Sequence, residues 1–215
     1  MPGRADRAVL SAVRAERAAL ADDLTGLDNA AWATPSLCGR WTVEDVVAHL
    51  TSAAHLTPAR WLASIVGARF DADLHNARRL AEHRGATPAE TLARFRAAVD
   101  RTTAPSGDTA AWLGEVVVHA QDVRRPLGFA TTPSVEAVTA VAEFYVRRDF
   151  AVHSATAARG LRLEATDGPF AAGEGPLVRG TTLALVMAMA GRVAYVDDLA
   201  GPGVDVLRAR VAPAG

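Results

Sequence analysis

Lysine is absent from this 215-residue chain, so its basic charge is carried by arginine. Schiff-base catalysis, a pyridoxal phosphate anchor, a lysine general base and a P-loop lysine are thereby excluded. Cysteine is scarce: Cys38 stands alone, which rules out an internal disulfide and a thiolate-rich metal cage. Long apolar runs are missing as well. The longest, Leu183 to Gly191, falls far short of the roughly 20 residues of a membrane-spanning helix, and the opening Met-Pro-Gly-Arg-Ala-Asp has no secretory h-region. A cytoplasmic location without a membrane partner is expected. A formal net charge of −1 provides no basic patch for nucleic acid. The heavy use of Ala, Arg, Gly and Val points to a GC-rich genome and says nothing of function.

What is present is ordinary globular material: half the residues are apolar, and the length suits one domain or one large domain with a small appendage. Ala8 to Leu24 carries Val9, Leu10, Val13, Ala18, Leu20 and Leu24 at helical spacing. A polar turn spans Thr25 to Arg40. Thr42 with Asp45 is capping-box-like and opens a helix that is expected to run through His49 toward about Ala68, kinked or broken at Pro58. Asp71 to Arg84 reads as a shorter helix, and Thr87-Pro88-Ala89-Glu90 starts another that reaches about Thr102. Thr109 to Leu127 is helical, with Gly128 suited to a left-handed cap. Helices of this number and length, joined by short turns, predict an antiparallel four-helix bundle. A further helix covers about Ser134 to His153. Beyond it, Gly160 to Thr166 alternates with a period of two and turn residues come after it, predicting a small strand-containing region before helices at Thr181 to Ala190 and Val204 to Arg210.

The chemistry centres on Glu115 and His119, four residues apart in the apolar run Trp112-Leu-Gly-Glu115-Val-Val-Val-His119-Ala-Gln-Asp122. On a helix such a pair shares one face, with Cβ atoms roughly 5–6 Å apart. An exposed polar pair explains the spacing equally well. The flanking Val116, Val117 and Val118 tip the balance, because burying an unpaired carboxylate costs several kcal/mol and a metal ion removes that cost. His49 can add a third ligand if its helix packs face to face with the other; taken alone, a hydrogen-bonded core histidine is the commoner explanation. Two histidines and one carboxylate leave coordination positions open, as in catalytic zinc sites. Asp122 either orients a ligand histidine or pairs with Arg125. His55, His75, His83 and His153 have no such partners at helical spacing and read as surface or structural residues, with His55 about 240° round the helix from His49. Cys38 reads as a small buried hydrophobe, with only Arg40 near enough in sequence to lower its pKa, and Trp41, Trp61 and Trp112 as core anchors.

Two motifs, Pro35-Ser-Leu-Cys-Gly-Arg-Trp41-Thr-Val-Glu-Asp-Val-Val-Ala-His49-Leu and Gly114-Glu115-Val-Val-Val-His119-Ala-Gln-Asp122-Val-Arg-Arg-Pro-Leu-Gly128, resemble the mycothiol-dependent maleylpyruvate isomerase family. Leu177-Val-Arg179-Gly180 and Met189-Ala-Gly191-Arg192 resemble it more weakly. The resemblance implies a mainly α protein: a DinB-like metal-binding four-helix bundle over residues 1–130, then an additional helix and a small C-terminal α/β region over 131–215. It implies a divalent metal, typically zinc, on His49, Glu115 and His119, and mycothiol as cofactor or co-substrate. A C-terminal arginine, Arg192 or Arg179, would serve an acidic substrate or the thiol. The expected activity is isomerisation or S-transfer on a small electrophile, with the metal holding the thiol as thiolate. A homodimer is compatible with the sequence. Two other functions compete: metal binding without catalysis, and zinc-dependent hydrolysis with Asp122 or Glu44 as general base.

Overall fold

The computed structural model describes residues 4–39, 41–67, 69, 71–103 and 108–212. Arg40 and Ala68 lie outside them, and so do the side chains of Trp61 and His75. The chain forms two compact units, Met1–Thr131 and Thr132–Gly215. Among the described residues no helix is long and apolar enough to cross a membrane.

The first unit contains α1 (Arg4–Asp23), α2 (Asn29–Trp32), α3 (Val43–His55), α4 (Pro58–Gly67), α5 (Ala72–His83), α6 (Pro88–Arg96) and α7 (Thr109–Leu127). Four of these close a ring: α1 packs on α6 and α7, and α3 packs on the same two. Val13, Leu20, Val46, Val47, Leu50, Phe95, Leu113, Val117 and Val123 fill the space between them. The helix starts obey the sequence signals. Thr42 and Asp45 bond each other's backbone N–H as a capping box, and Thr87 caps α6 ahead of Pro88. Gly128 ends α7 in the left-handed conformation at φ 73°.

One long helix was expected from Thr42 toward Ala68; the chain instead breaks between α3 and α4. Leu56 is extended, and Thr57 precedes Pro58, whose ring disfavours helical backbone at the residue before it and suits a helix start. The helix from Pro88 is likewise shorter than expected. It ends at Arg96, and its continuation tightens into turns with Val99 N–H on Arg96 O and Arg101 N–H on Ala98 O. The expected turn from Thr25 holds one helical turn, α2, capped by Asp28, and Trp32 there is buried. A buried charge cluster joins α7 to α1. Arg124 donates through Nε to Asp23 (2.7 Å) and through Nη1 to Glu16 (3.2 Å). Burial pushes the Glu16 carboxyl above its ordinary value, and Arg124 opposes that shift.

The second unit contains α8 (Val135–Arg147), α9 (Ser154–Ala158), β1 (Arg162–Ala165), β2 (Ala171–Ala172), β3 (Leu177–Gly180), α10 (Thr182–Met189), a 3-10 helix at Val193–Asp198 and α11 (Val204–Val211). The sheet order is β2-β1-β3, with β1 antiparallel to β2 and parallel to β3. The helix expected from Ser134 to His153 stops at Arg147. Arg148 is extended, and its carbonyl and that of Tyr145 accept from the Ser154 hydroxyl, which ties the next helix back under the first. The apolar α10 is buried almost entirely and packs on α8 and the 3-10 helix.

Candidate metal centre

His49 lies midway along α3, facing α7, where Glu115 and His119 share one face as their i,i+4 spacing requires. His49 Nε2 stands 2.6 Å from Glu115 Oε1, and His119 Nε2 stands 3.7 Å from the same oxygen. One ligand atom from each of the three residues lies within 4.8 Å of the others. The imidazole rings meet edge to face at 4.9 Å. The side chains are 15%, 30% and 11% exposed for His49, Glu115 and His119, so the cluster is held by packing yet reachable through Glu115.

The other nitrogen of His119 is occupied. Nδ1 stands 3.0 Å from Asp122 Oδ2, and the Asp122 side chain is fully buried. Such a partner fixes ring orientation and leaves Nε2 as the atom presented to the cluster. Of the two roles open to Asp122, this contact favours orienting His119. Burial pulls the His119 imidazolium pKa down, but hydrogen bonds with Asp122 and Cys38 and the charges of Glu115 and Asp122 outweigh it, and the pKa is pushed up to about 10. The pocket thus favours positive charge.

Three neighbours of the centre were not foreseen. Cys38, expected as a buried hydrophobe, is half-buried and forms a second close cluster with His119 and Asp122. Trp41, expected in the core, is half-buried against the His49 ring at 4.7 Å and 6.1 Å from His119; Trp112 is also half-buried, and Trp32 takes the core position. Arg17, 3% exposed on α1, donates to Arg101 O at 2.8 Å. Burial lowers its pKa to about 10, and Glu115 is close enough to oppose that shift. Arg17 is four residues from Val13 and three from Leu20 on the buried stripe of α1, a placement legible in the sequence.

His55 and His83 contact each other, with ring centroids 5.1 Å apart, where α3 meets α5, and the His153 side chain is 94% exposed. Glu44 is buried in the joint of α3, α5 and α6, accepting from Arg84 (2.6 Å) and Thr91 (2.8 Å). Arg179 and Arg192 belong to the second unit. Arg179 sits on β3, its side chain 55% exposed and its Nε 3.7 Å from Glu164, and Arg192 donates to Ala190 O at 2.7 Å in the turn after α10.

Residues 13–112 match the family model described as the mycothiol maleylpyruvate isomerase N-terminal domain. That stretch, just under half of the chain, is similar to this family's N-terminal domain. The match includes His49 and ends three residues before Glu115. Two solved structures resemble the whole chain: the mycothiol-dependent maleylpyruvate isomerase and a histidine-to-alanine mutant of it. Each shares 17% identity, covers 94% of this chain and 93% of its own, and superposes with a TM-score of 0.57, which establishes a common fold with the isomerase. No curated protein matches the chain.

Proposed function

We propose that this protein is a metal- and thiol-dependent enzyme in which His49, Glu115 and His119 hold a divalent ion, zinc by donor type, and mycothiol is the cofactor or co-substrate for isomerisation or S-transfer on a small electrophile. The observation that carries this is the convergence of two imidazole nitrogens and one carboxylate oxygen within 4.8 Å. The donors fit such an ion: both histidines turn Nε2 toward the Glu115 carboxylate, and Asp122 holds the far side of the His119 ring. Two neutral imidazoles and one carboxylate leave a divalent ion with net positive charge, which stabilises a thiolate at neutral pH. Glu115 is the most open of the three. The Arg179 side chain, 55% exposed beside Glu164, is open to an anionic group.

Hydrolysis by metal-activated water is less well supported. Both bases it would use are committed: Asp122 is fully buried against His119, and Glu44 is bound by Arg84 and Thr91. The test is resident metal in purified protein, with mycothiol titration of the same sample. His49→Ala should lose its metal at least tenfold more readily than wild type, His55→Ala should not, and mycothiol should bind only the metal-loaded protein. Equal losses from both variants would overturn the ligand set; turnover without any low-molecular-weight thiol would favour hydrolysis.

A further inference from the structure

We infer that Cys38, His119 and Asp122 form a second metal site, on the far side of the His119 ring from Glu115, which takes a thiophilic divalent cation. One ligand atom from each of the three lies within 4.8 Å of the others. His119 Nδ1 and Asp122 Oδ2 are already 3.0 Å apart. Tetrahedral coordination with metal–nitrogen and metal–oxygen distances of about 2.1 Å and a metal–sulfur distance of about 2.3 Å sets donors roughly 3.4–3.6 Å apart, so the His119–Asp122 pair has to open by about 0.4 Å and a separation at the 4.8 Å limit has to close by about 1.2 Å. A thiolate, an imidazole and a carboxylate together suit zinc or cobalt and not calcium or magnesium, which prefer all-oxygen shells.

The turn bearing Cys38 is built toward this place. Leu37 N–H donates to the carbonyl of Asp122 itself at 3.1 Å, which pins the turn to α7 beside the carboxylate. Cys38 N–H donates to Ser36 Oγ (3.1 Å), whose hydroxyl donates to Trp41 O (2.8 Å). A bridge between Pro35 and Thr42 and a left-handed Gly39 at φ 58° close the turn at the start of α3. The Asp122 side chain is fully buried, so a cation placed beside it meets a carboxylate already out of water. Filling the site replaces the hydrogen bonds of His119 with Asp122 and Cys38 by three metal–ligand bonds and releases the thiol proton and the proton on Nδ1. The second ion therefore binds more weakly than the first and enters when metal is supplied in excess.

This site rests on the proposed function only in sharing His119 with the first centre, and cobalt separates the two. Titrating metal-free protein with Co2+ should give uptake of two ions, the second accompanied by the near-ultraviolet charge-transfer band of a cobalt–thiolate bond. Cys38→Ser should reduce uptake from two ions to one and abolish the band. Asp122→Asn should weaken the band's midpoint at least tenfold. His49→Ala should lose the first ion and keep the band. Wild-type protein that binds Co2+ with no thiolate band, or a Cys38→Ser variant that still takes two ions, would overturn the second site; a His49→Ala variant that keeps both ions would instead overturn the first.

Discussion

At His119 the two ring nitrogens face different partners, Glu115 on one side and Asp122 on the other, and this division of labour is what a ligand histidine requires. Asp122→Asn should therefore lower metal affinity by about 10- to 100-fold without unfolding the bundle, as read by competition with a chromophoric chelator. An unchanged affinity would mean that the contact is incidental. The convergence of His49, Glu115 and His119 was legible because helical spacing fixes Glu115 against His119 whatever the tertiary structure, and the motif around His49 pointed to the third side chain. Cys38 and Trp41 were not legible for an equally physical reason. They sit in a turn whose side-chain directions depend on the hydrogen bonds of Ser36 and Leu37 and on the backbone of Gly39, none of which has a period to read.

Among the elements, the starts of helices were easier to read than their ends. Thr42, Thr87 and Asp71 each cap a helix through a side chain whose position in sequence is diagnostic. Thr42→Ala removes the acceptor for Asp45 N–H and should cost about 1 kcal/mol, measured by chemical denaturation. No loss would mean that tertiary contacts alone hold the start of α3. The ends at His55, Arg96 and Arg147 are set by residues further along the chain: the geometry ahead of Pro58, a tightening into turns, and the bond from Ser154 back to Tyr145. Gly173, in the second unit, is also fixed by its surroundings. It has φ 75°, and a Cβ there would lie 2.2 Å from Leu161 O, so Gly173→Ala should lower the unfolding temperature where a change at an exposed helix position would not.

For the molecule as a whole, the four-helix arrangement was legible in the number and spacing of amphipathic segments, but not the charges within it. Arg124 is completely buried, and nothing in Val123-Arg124-Arg125-Pro126 distinguishes it from its exposed kind. Its ion pairs join positions 101 and 108 apart in sequence, Asp23 and Glu16. Arg124→Leu would leave Glu16 and Asp23 uncompensated and should cost about 3–5 kcal/mol, with recovery when both carboxylates are also replaced by neutral residues. A loss well under 1 kcal/mol would show that water reaches the cluster. The common fold with a mycothiol-dependent isomerase frames the central claim, that this bundle holds a metal for a thiol. Anomalous diffraction at the zinc edge, from crystals of the metal-loaded protein grown with mycothiol, tests it most directly. The account predicts a peak about 2.0–2.2 Å from His49 Nε2, His119 Nε2 and a Glu115 oxygen, with the mycothiol sulfur about 2.3 Å away. A zinc peak bonded to other residues, or bonded to these three with the thiol elsewhere, would contradict it.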